Sequence, residues 1–260
     1  MTQDRKPLGM QDQLVLVTGG GRGLGAAIVQ AFLREGARVI INYRASAAAA
    51  QALAQTAPGR ALAFQADVCD GAAVAAMALA ARRHFGMPIT TVVNNALPAF
   101  SFDGDARPRA EALTWDRMRQ QMDGTLRGAL NTTQAVLAGM REAGAGRIIN
   151  IGTNLVQNPV VPYHDYTAAK AALLGFTRTL AHELGADGIT VNMVSGGLLR
   201  TTDASAATPP AVFDMIAAAT PLRAVTTPEQ FADAVLFFAS PWSRAVTGQN
   251  LVVDGGLVMH

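Results

Sequence analysis

Tyr166 and Lys170 are separated by three residues and form the pair of side chains best suited to acid–base chemistry in this sequence. On a helix, positions i and i+4 share a face, so the phenol and the ammonium would point the same way. A free tyrosine titrates near ~10. A neighbouring cation stabilises the phenolate and brings the group towards a useful acid–base range. Tyr-x-x-x-Lys is also common on exposed helix faces, so the pattern acquires meaning only from its surroundings.

A glycine-rich stretch near the start supplies part of those surroundings, with five glycines among residues 19–25. The apolar run at residues 14–17 is typical of a buried strand, and residues 26–33 have helical spacing. Glycines let backbone approach an anion, and a helix start offers unpaired N–H groups, so the stretch predicts a phosphate site. It fits GxGxxA from Gly21 and GxxxGxG from Gly19; we prefer the second, which begins at the strand end. A purely structural turn is the alternative.

The end of the second predicted strand indicates which dinucleotide would bind. An acid usually stands there and holds the ribose 2′-OH, but this chain has Asn42, Tyr43 and Arg44. Arg22 in the glycine stretch is a second cation. Two guanidinium groups can bind a 2′-phosphate through charge-assisted pairs, whereas an acid would repel it, so the residues favour NADP(H) over NAD. The alternative is that Arg44 is a solvated surface charge.

Alternating strands and helices are predicted to position these groups. Seven apolar runs are interpreted as strands, at residues 14–17, 37–41, 61–66, 89–93, 146–151, 189–194 and 250–253. Helices are expected at residues 26–33, 45–57, 70–85, 114–142, 166–184 and 229–239. This alternation predicts one α/β domain, residues 1–260, with a doubly wound, Rossmann-type parallel sheet flanked by helices. Ligands bind such sheets at the carboxyl ends of the strands.

Two longer segments interrupt the alternation at that edge of the sheet. We interpret residues 97–110 as a substrate loop and residues 198–221 as a lid. Residues 97–102 and 212–217 are mostly apolar, which favours an apolar substrate over a phosphorylated one.

Composition argues against several other classes of function. Half of the residues are hydrophobic and 15% are charged, so the chain can bury a large core. The net charge of +2, without a run of Lys or Arg, argues against nucleic-acid binding. No apolar run reaches the ~18 residues of a membrane span, and no His, Cys or acidic cluster has metal-ligand spacing. One cysteine and no signal-like apolar segment in residues 1–13 predict a cytoplasmic protein.

Taken together, the motifs resemble those of the short-chain dehydrogenase/reductase family over nearly the whole chain. The resemblance is carried by Thr18-Gly19-x-x-x-Gly23-x-Gly25, Asp67-Val68, Asn94-Asn95-Ala96, Tyr166-x-x-x-Lys170, Thr247-Gly248 and Asp254-Gly255-Gly256. The chain is most similar to the 3-oxoacyl-[acyl-carrier-protein] reductase-like branch, a label that covers many substrates.

The resemblance implies NADPH-dependent reduction of a ketone to a secondary alcohol, with hydride from nicotinamide C4. Tyr166 would be the general acid, Thr153 would help it hold the carbonyl oxygen, and Lys170 would bind the nicotinamide ribose and lower the tyrosine pKa. The implied cofactor-binding residues are Gly19, Gly21, Arg22, Gly23, Leu24, Gly25, Asn42, Tyr43, Arg44, Asp67, Val68, Asn95, Ala96, Tyr166, Lys170, Gly197, Leu199 and Thr201.

Four positions depart from the family pattern. The carbonyl-orienting serine, 13 residues before the tyrosine, is Thr153, which keeps a hydroxyl with a more crowded χ1. The helix asparagine that supports a water near the lysine aligns with Thr125. Leu97 replaces a glycine and would narrow the pocket floor. Gly196 replaces a proline and would loosen the lid hinge.

Two other functions stay open from the sequence: oxidation of a sugar or cyclic alcohol at the same site, and non-catalytic NADP(H) binding by a regulator. Intact Tyr166 and Lys170 argue against the regulator. We interpret His164 as a polar residue at a helix start and Cys69 as a small buried filler. Apolar residues on more than one face of the helices at 114–142 and 166–184, with the resemblance, predict a homotetramer. The expected ligand besides the cofactor is a small ketone or alcohol.

Overall fold

The fold is built on one seven-stranded sheet in which every strand pairing is parallel. The computed structural model describes residues 8–97 and 107–259. The strands are β1 (Leu14–Val17), β2 (Arg38–Tyr43), β3 (Ala61–Gln65), β4 (Thr91–Asn94), β5 (Gly146–Thr153), β6 (Ile189–Gly196) and β7 (Asn250–Val253). Their order is β3-β2-β1-β4-β5-β6-β7, so the winding reverses beside β1. The predicted doubly wound α/β fold is confirmed.

Helices cover both faces of the sheet. They are α1 (Gly23–Arg34), α2 (Ala47–Gln55), α3 (Gly71–Phe85), α4 (Trp115–Met122), α5 (Gly128–Ala143), α6 (His164–Leu184), α7 (Pro210–Ala219) and α8 (Pro228–Ala239). One core lies between the sheet and α1, α2 and α8, where Phe32 and Phe231 are fully buried. A second core lies on the opposite face, where Met77 and Met140 from α3 and α5 pack against the strands. Strands buried on both faces explain why the strand sequences are nearly continuous apolar runs.

The helix expected at residues 114–142 is interrupted. It consists of α4, a π turn at Asp123–Arg127 and then α5. The break coincides with Gly124 and Gly128, which have weak helix propensity. Residues 210–219, predicted only as part of a lid, form helix α7.

A buried polar network fixes the central strands against two helices. Asn94 on β4 donates from Nδ2 to Asn150 Oδ1 on β5 (2.8 Å) and accepts from Thr132 Oγ1 on α5 (2.6 Å). Asn150 in turn donates from Nδ2 to Thr177 Oγ1 on α6 (2.8 Å). All four side chains are buried and paired, and such networks favour one arrangement of a core. The ends of β4 and β5 are therefore held in a fixed position relative to α5 and α6.

Across residues 8–97 and 107–259, every helix is too short or too polar to cross a bilayer. In the same part of the chain, three or more metal-ligating side chains do not come together.

Candidate active site

The glycine turn, residues 18–25, packs tightly against its own backbone. Gly19 and Gly23 have φ values of +61° and +52°, in the left-handed region that favours glycine. A Cβ at Gly25 would lie 2.1 Å from the carbonyl oxygen of Gly19. Only glycine fits at position 25, so α1 begins in direct contact with the turn.

Two residues at the end of neighbouring strands hold this turn. Asn95 Nδ2 donates to the carbonyl oxygens of Thr18 (2.9 Å) and Gly19 (3.3 Å). Thr18 Oγ1 accepts from the backbone N–H groups of Asn95 and Ala96, each at 2.9 Å. Asn95 lines the predicted cofactor cleft, but its side-chain amide is committed to the turn.

The N-terminus of α1 is suited to an anion. Its N-cap residue, Arg22, makes no side-chain capping bond, and no acidic residue lies in the first turn. The first N–H groups of a helix lack intrahelical partners and carry the positive end of its dipole. Because the positions around them are glycines, a phosphate can approach these groups closely, so the turn fits the pyrophosphate of a dinucleotide.

Asn42 has a structural role that the sequence does not reveal. The residue is buried, and its Oδ1 accepts from Gly19 N (3.3 Å) while its Nδ2 donates to the carbonyl oxygen of Ala66 (2.9 Å). Its amide therefore joins the glycine turn to the ends of β2 and β3. Asn42 lines the cleft, where the resemblance implies a cofactor-binding residue, but these two bonds already engage both its Oδ1 and its Nδ2.

The two arginines predicted to bind a 2′-phosphate both lie on the cleft, and each has an acidic partner. Arg22 Nη1 is 3.2 Å from Asp203 Oδ2, and Arg44 Nη1 is 3.7 Å from Asp67 Oδ2. The arginine side chains are 70% and 64% exposed, so both are accessible to a ligand. The structure thus places both arginines in exposed ion pairs, and their binding to a 2′-phosphate stays a prediction.

Tyr166 and Lys170 lie in the first two turns of α6, against the end of β5. Lys170 Nζ donates to the carbonyl oxygen of Ile151 at 2.7 Å and lies 5.7 Å from the centre of the Tyr166 ring. Both side chains are buried and both line the cleft. Thr153, at the end of β5, is hydrogen-bonded to Tyr166 and brings a second hydroxyl to the same place.

Burial shifts the pKa values of this pair in opposite directions. It raises the pKa of Tyr166 to about 12, although the hydrogen bond with Thr153 works against the rise. It lowers the pKa of Lys170 to about 8. The sequence predicts a lowered tyrosine pKa, and this is wrong for the chain on its own, because burial penalises the phenolate and the ammonium alike.

The structure places the hydroxyl at Thr153 and leaves no room for one at Gly152. A Cβ at Gly152 would lie 2.2 Å from Ser195 Oγ and 2.6 Å from Met193 Sδ. Thr153 Oγ1 also accepts from Leu155 N at 3.3 Å, which orients it towards the cleft floor. The threonine therefore occupies a position where a hydroxyl can meet Tyr166.

Thr125 lies below the cleft, in the π turn. Its buried Oγ1 has no hydrogen-bond partner. A small cavity beside it is bordered by Asn94, Lys170 and Leu173, with about 10 Å³ open to the centre of a water molecule. That is about the space of a single water. π turns recur at functional sites, and this one leaves a hydroxyl unpaired beside a lysine.

One cleft of about 1740 Å³ connects the glycine turn with Tyr166. All the predicted site residues line it except Gly21, Thr201 and Thr125. Gly21 instead faces α2, where a Cβ would lie 2.6 Å from Ser46 Oγ. Thr202 lines the cleft in place of Thr201, and Thr125 borders the small cavity.

The lid segment, residues 198–221, combines a capped turn with helix α7. Thr202 and Ser205 cap one another, and Ser205 Oγ donates to the carbonyl oxygen of Leu199 at 2.9 Å. On α7, Val212 and Ile216 share the face that lines the cleft.

Gly196, two residues before the lid segment, is packed rather than loose. It is the last residue of β6, and a Cβ there would lie 2.9 Å from the ring of the fully buried Phe231. Gly196 therefore accommodates an aromatic side chain, and the expected loose hinge is not found.

Leu97 packs against Leu155, Tyr163 and Tyr166 and lines the cleft, and its narrowing of the pocket floor stays a prediction. Residues 98–106 of the predicted substrate loop lie outside the described residues. His164 is exposed and does not line the cleft. Cys69 Sγ donates to the carbonyl oxygen of Asp123 (3.4 Å), and burial raises the pKa of its thiol. The residue is half-buried and lines the cleft, so the prediction of a buried filler is wrong.

Sequence reasoning missed two acidic residues that act at this edge. Asp203 pairs with Arg22, and Asp254 accepts from Asn154 Nδ2 at 2.9 Å, next to Thr153. Asp254 was visible as part of a motif, but its partner lies 100 positions away. Periodicity and local motifs do not indicate such pairs.

Comparison with known proteins places this site in a family. A family model described as "Enoyl-(Acyl carrier protein) reductase" matches residues 19–258. The chain is 35% identical to the 3-oxoacyl-[acyl-carrier-protein] reductase of Pseudomonas aeruginosa, over 97% of this chain and 100% of that protein. It is 34% identical to 2-(S)-hydroxypropyl-CoM dehydrogenase 3 of Xanthobacter autotrophicus, over 95% and 97% of the two chains.

A solved structure agrees with this placement. A mutant short-chain dehydrogenase/reductase of Serratia marcescens superposes with a TM-score of 0.83 at 33% identity, over 97% of this chain and 99% of that one. The chain belongs to the short-chain dehydrogenase/reductase family. Members of this family use a nicotinamide cofactor, and the geometry of the glycine turn fits one.

The lowered pKa of Lys170 makes a prediction about stability in the cofactor-free protein. Its pKa is 10.5 unfolded and about 8 folded. Between those values the unfolded chain holds a proton that the folded protein has released, so the free energy of unfolding rises with pH. Replacing Lys170 with Met should remove this rise, by up to about 3 kcal/mol. Urea unfolding across that pH range measures the difference.

The sequence has only two lysines, Lys6 and Lys170, so few other amines titrate in the same pH range. Tyr166 acts in the opposite sense above pH 10, since its pKa is higher in the folded protein, and that contribution is expected in both proteins. Identical pH dependence of unfolding in the wild type and Lys170→Met would contradict the buried, deprotonating lysine.

Proposed function

We propose that the protein is an NADPH-dependent reductase that converts an apolar ketone, of 3-oxoacyl or similar type, to a secondary alcohol. One observation carries the proposal. Two hydroxyls, on Thr153 and Tyr166, meet beside Lys170 at the end of the cleft that begins at the glycine turn. Family membership and the names of relatives that are reductases support the same reaction class.

The residues divide the work of carbonyl reduction. The nicotinamide, when bound, supplies the hydride. Thr153 and Tyr166 donate hydrogen bonds to the carbonyl oxygen and hold it in one orientation. Tyr166 then gives its proton to that oxygen, and its raised pKa keeps the phenol protonated until an alkoxide, a far stronger base, develops there. Lys170 stabilises the phenolate that remains on Tyr166, because an ammonium close to the ring favours the charged form.

We propose that Thr125 binds a water molecule next to the catalytic residues Thr153, Tyr166 and Lys170. Its unpaired Oγ1 and Lys170 both border the small cavity, which has room for about one water. A water there would connect the lysine with the interior of the π turn.

The lining of the cleft favours an apolar substrate. Leu155, Val161, Val212, Ile216 and Leu257 contribute apolar side chains to it. Three of the arginines that line it are paired with acids: Arg117 with Asp165, Arg119 with Asp116 and Arg127 with Asp123. Apolar side chains and paired charges suit an uncharged ketone. We propose that the lid segment, residues 198–221, covers the substrate site. We also propose that the whole chain forms one domain.

The Tyr166→Phe substitution tests the reaction. It keeps the ring and its packing and removes the transferable proton, so turnover of a ketone with NADPH should fall by ~10²–10⁴. Cofactor affinity, measured by fluorescence titration, should hardly change. Thr153→Ser should be tolerated, whereas Thr153→Val keeps the shape without the hydrogen bond and should lower kcat.

Tyr163→Phe is the matched comparison, since it removes a phenol hydroxyl three residues away, and it should cost much less turnover. Undiminished ketone reduction by Tyr166→Phe would show that the chemistry occurs elsewhere, and the regulator would then be the better interpretation.

Arg22 and Arg44 support a preference for NADPH. Both side chains are exposed on the cleft, next to the glycine turn and the end of β2. Positions 42 to 44 contain no acidic residue that could bind a ribose 2′-OH. A 2′-phosphate would replace Asp203 as the partner of Arg22 and Asp67 as the partner of Arg44. Because the phosphate carries more charge than a carboxylate, this replacement favours cofactor binding.

Arg44→Ala should weaken NADPH binding and leave NADH binding unchanged. The loss of one charged contact is about 1.5–3 kcal/mol, which is about ten- to a hundredfold in Kd. Arg34→Ala is the control, because that exposed arginine pairs with Asp233 away from the cleft. Equal affinity of the wild type for the two cofactors would disprove the preference.

We also propose that the protein is a homotetramer. Exposed apolar side chains in two parts of the chain support this assembly: Leu130 on α5 is 39% exposed, and Phe237 on α8, Trp242 after α8 and Leu251 on the edge strand β7 are 37%, 82% and 40% exposed. Two separate self-complementary surfaces generate a tetramer with two-fold axes.

Light scattering at micromolar concentration should give four times the chain mass of 27.1 kDa. Trp242→Asp should place a charge in the surface around β7 and reduce the particle to a dimer. A monomeric mass for the wild type would contradict the proposal.

A further inference from the structure

The five residues after β7, Asp254 to Val258, form a tight turn, here named the C-terminal turn. Gly255 and Gly256 have φ values of +72° and +87°, so two successive glycines let the chain double back. The Asp254 carboxylate closes the turn by accepting from Gly256 N and Val258 N, each at 3.1 Å. The turn is therefore a defined structure.

Asp254 joins this turn to the candidate active site. Its carboxylate is buried, and within the described residues it has no cationic partner. Instead, Asn154 Nδ2 donates to Asp254 Oδ2 at 2.9 Å. Asn154 is also buried and follows Thr153 directly. A hydrogen bond to a buried charged group is stronger than one between neutral groups, so this bond fixes the turn to the end of β5.

Gly197 makes the bond possible. A Cβ at that position would lie 3.0 Å from Asn154 Nδ2 and 3.3 Å from Asp254 Cβ. A side chain there would crowd both partners, so the glycine has a steric function at this junction.

A second contact joins the C-terminal turn to the end of the lid segment. Leu222 N donates to the carbonyl oxygen of Gly255 at 3.2 Å, and a Cβ at Gly255 would lie 2.6 Å from Thr220 Cγ2. The turn thus touches both the strand that carries Thr153 and the segment that follows α7. Leu257, at its tip, is half-buried and lines the cleft.

We propose that the C-terminal turn is a specificity element: Leu257 contacts the larger substituent of the ketone, and Asn154 and Asp254 are positioning residues that hold Leu257 there. The inference rests on the proposed ketone reduction, and it identifies the part of the chain that limits the size of the substrate. Val212 and Ile216 on α7 line the same cleft, so Leu257 and the lid helix together limit the volume available to the substituent.

The Leu257→Ala substitution tests the contact directly. Methyl ketones with alkyl and aryl substituents of increasing size are reduced with NADPH by the wild type, Leu257→Ala and Met259→Ala. Leu257→Ala should shift the ratio of kcat/KM between the largest and the smallest ketone by about tenfold towards the largest. Met259 directly follows the C-terminal turn, is exposed and does not line the cleft, so its variant should keep the wild-type ratio.

Asn154→Leu tests the positioning role. It removes the bond to Asp254, so it should raise KM for the ketones the wild type prefers and broaden the size profile as Leu257→Ala does. The Kd for NADPH and the kcat at saturating ketone should stay close to wild type. A residue with a merely structural role would lower the melting temperature and leave the size profile unchanged.

Two failures can be told apart. If the wild type reduces ketones and Leu257→Ala has the wild-type size profile, the specificity element is overturned and the proposed reaction stands. If the wild type reduces none of the ketones while binding NADPH, the proposed reaction fails, and this inference fails with it. A broadened profile in both Leu257→Ala and Asn154→Leu, absent in Met259→Ala, supports the inference.

Discussion

The close packing of Gly25 against the carbonyl of Gly19 is the constraint on which the rest of the site depends. Since a Cβ there would lie 2.1 Å from that oxygen, the contact exists only because position 25 has no side chain. It fixes the start of α1 against the end of β1. Asn95 and Asn42 hydrogen-bond the same turn from two neighbouring strands. The backbone N–H groups of the turn are therefore oriented before a ligand binds, which reduces the entropy cost of ordering the turn on binding.

The end of β5 organises the other half of the cleft by the same kind of constraint. The carbonyl of Ile151 holds Lys170, the hydroxyl of Thr153 meets Tyr166, and the amide of Asn154 holds the C-terminal turn. Three nearby positions thus connect the strand to α6 and to the end of the chain. Below them, Asn150 belongs to the paired polar network that ties β5 to β4 and α6. Small displacements of β5 would move every reacting group together.

The fold and most residues of the candidate site could be predicted from the sequence because they depend on local patterns. Apolar runs alternating with helical spacing determine a parallel sheet, and the glycine turn and the Tyr166/Lys170 pair are recognisable at short range. What the sequence did not predict depends on distant packing. Helix α7 lies in a segment that the sequence analysis interpreted only as a lid. The buried amide of Asn42, the partners of Arg22 and Arg44 and the bond between Asn154 and Asp254 join residues far apart in the chain. The raised pKa of Tyr166 depends on burial, which no spacing rule expresses.

The exposed ion pairs at the glycine-turn end of the cleft contribute little to stability. Exposed pairs such as those of Arg22 with Asp203 and Arg44 with Asp67 are typically worth about 0–1 kcal/mol. A phosphate that replaces a carboxylate gains a more highly charged partner and a chance of bidentate binding. The carboxylates therefore hold the guanidinium groups near the cleft at little cost and are readily exchanged. Because Asp203 lies in the lid segment, exchange at Arg22 would also release one contact between the lid and the glycine turn. The Arg22–Asp203 ion pair is thus a direct contact between the lid segment and the glycine turn.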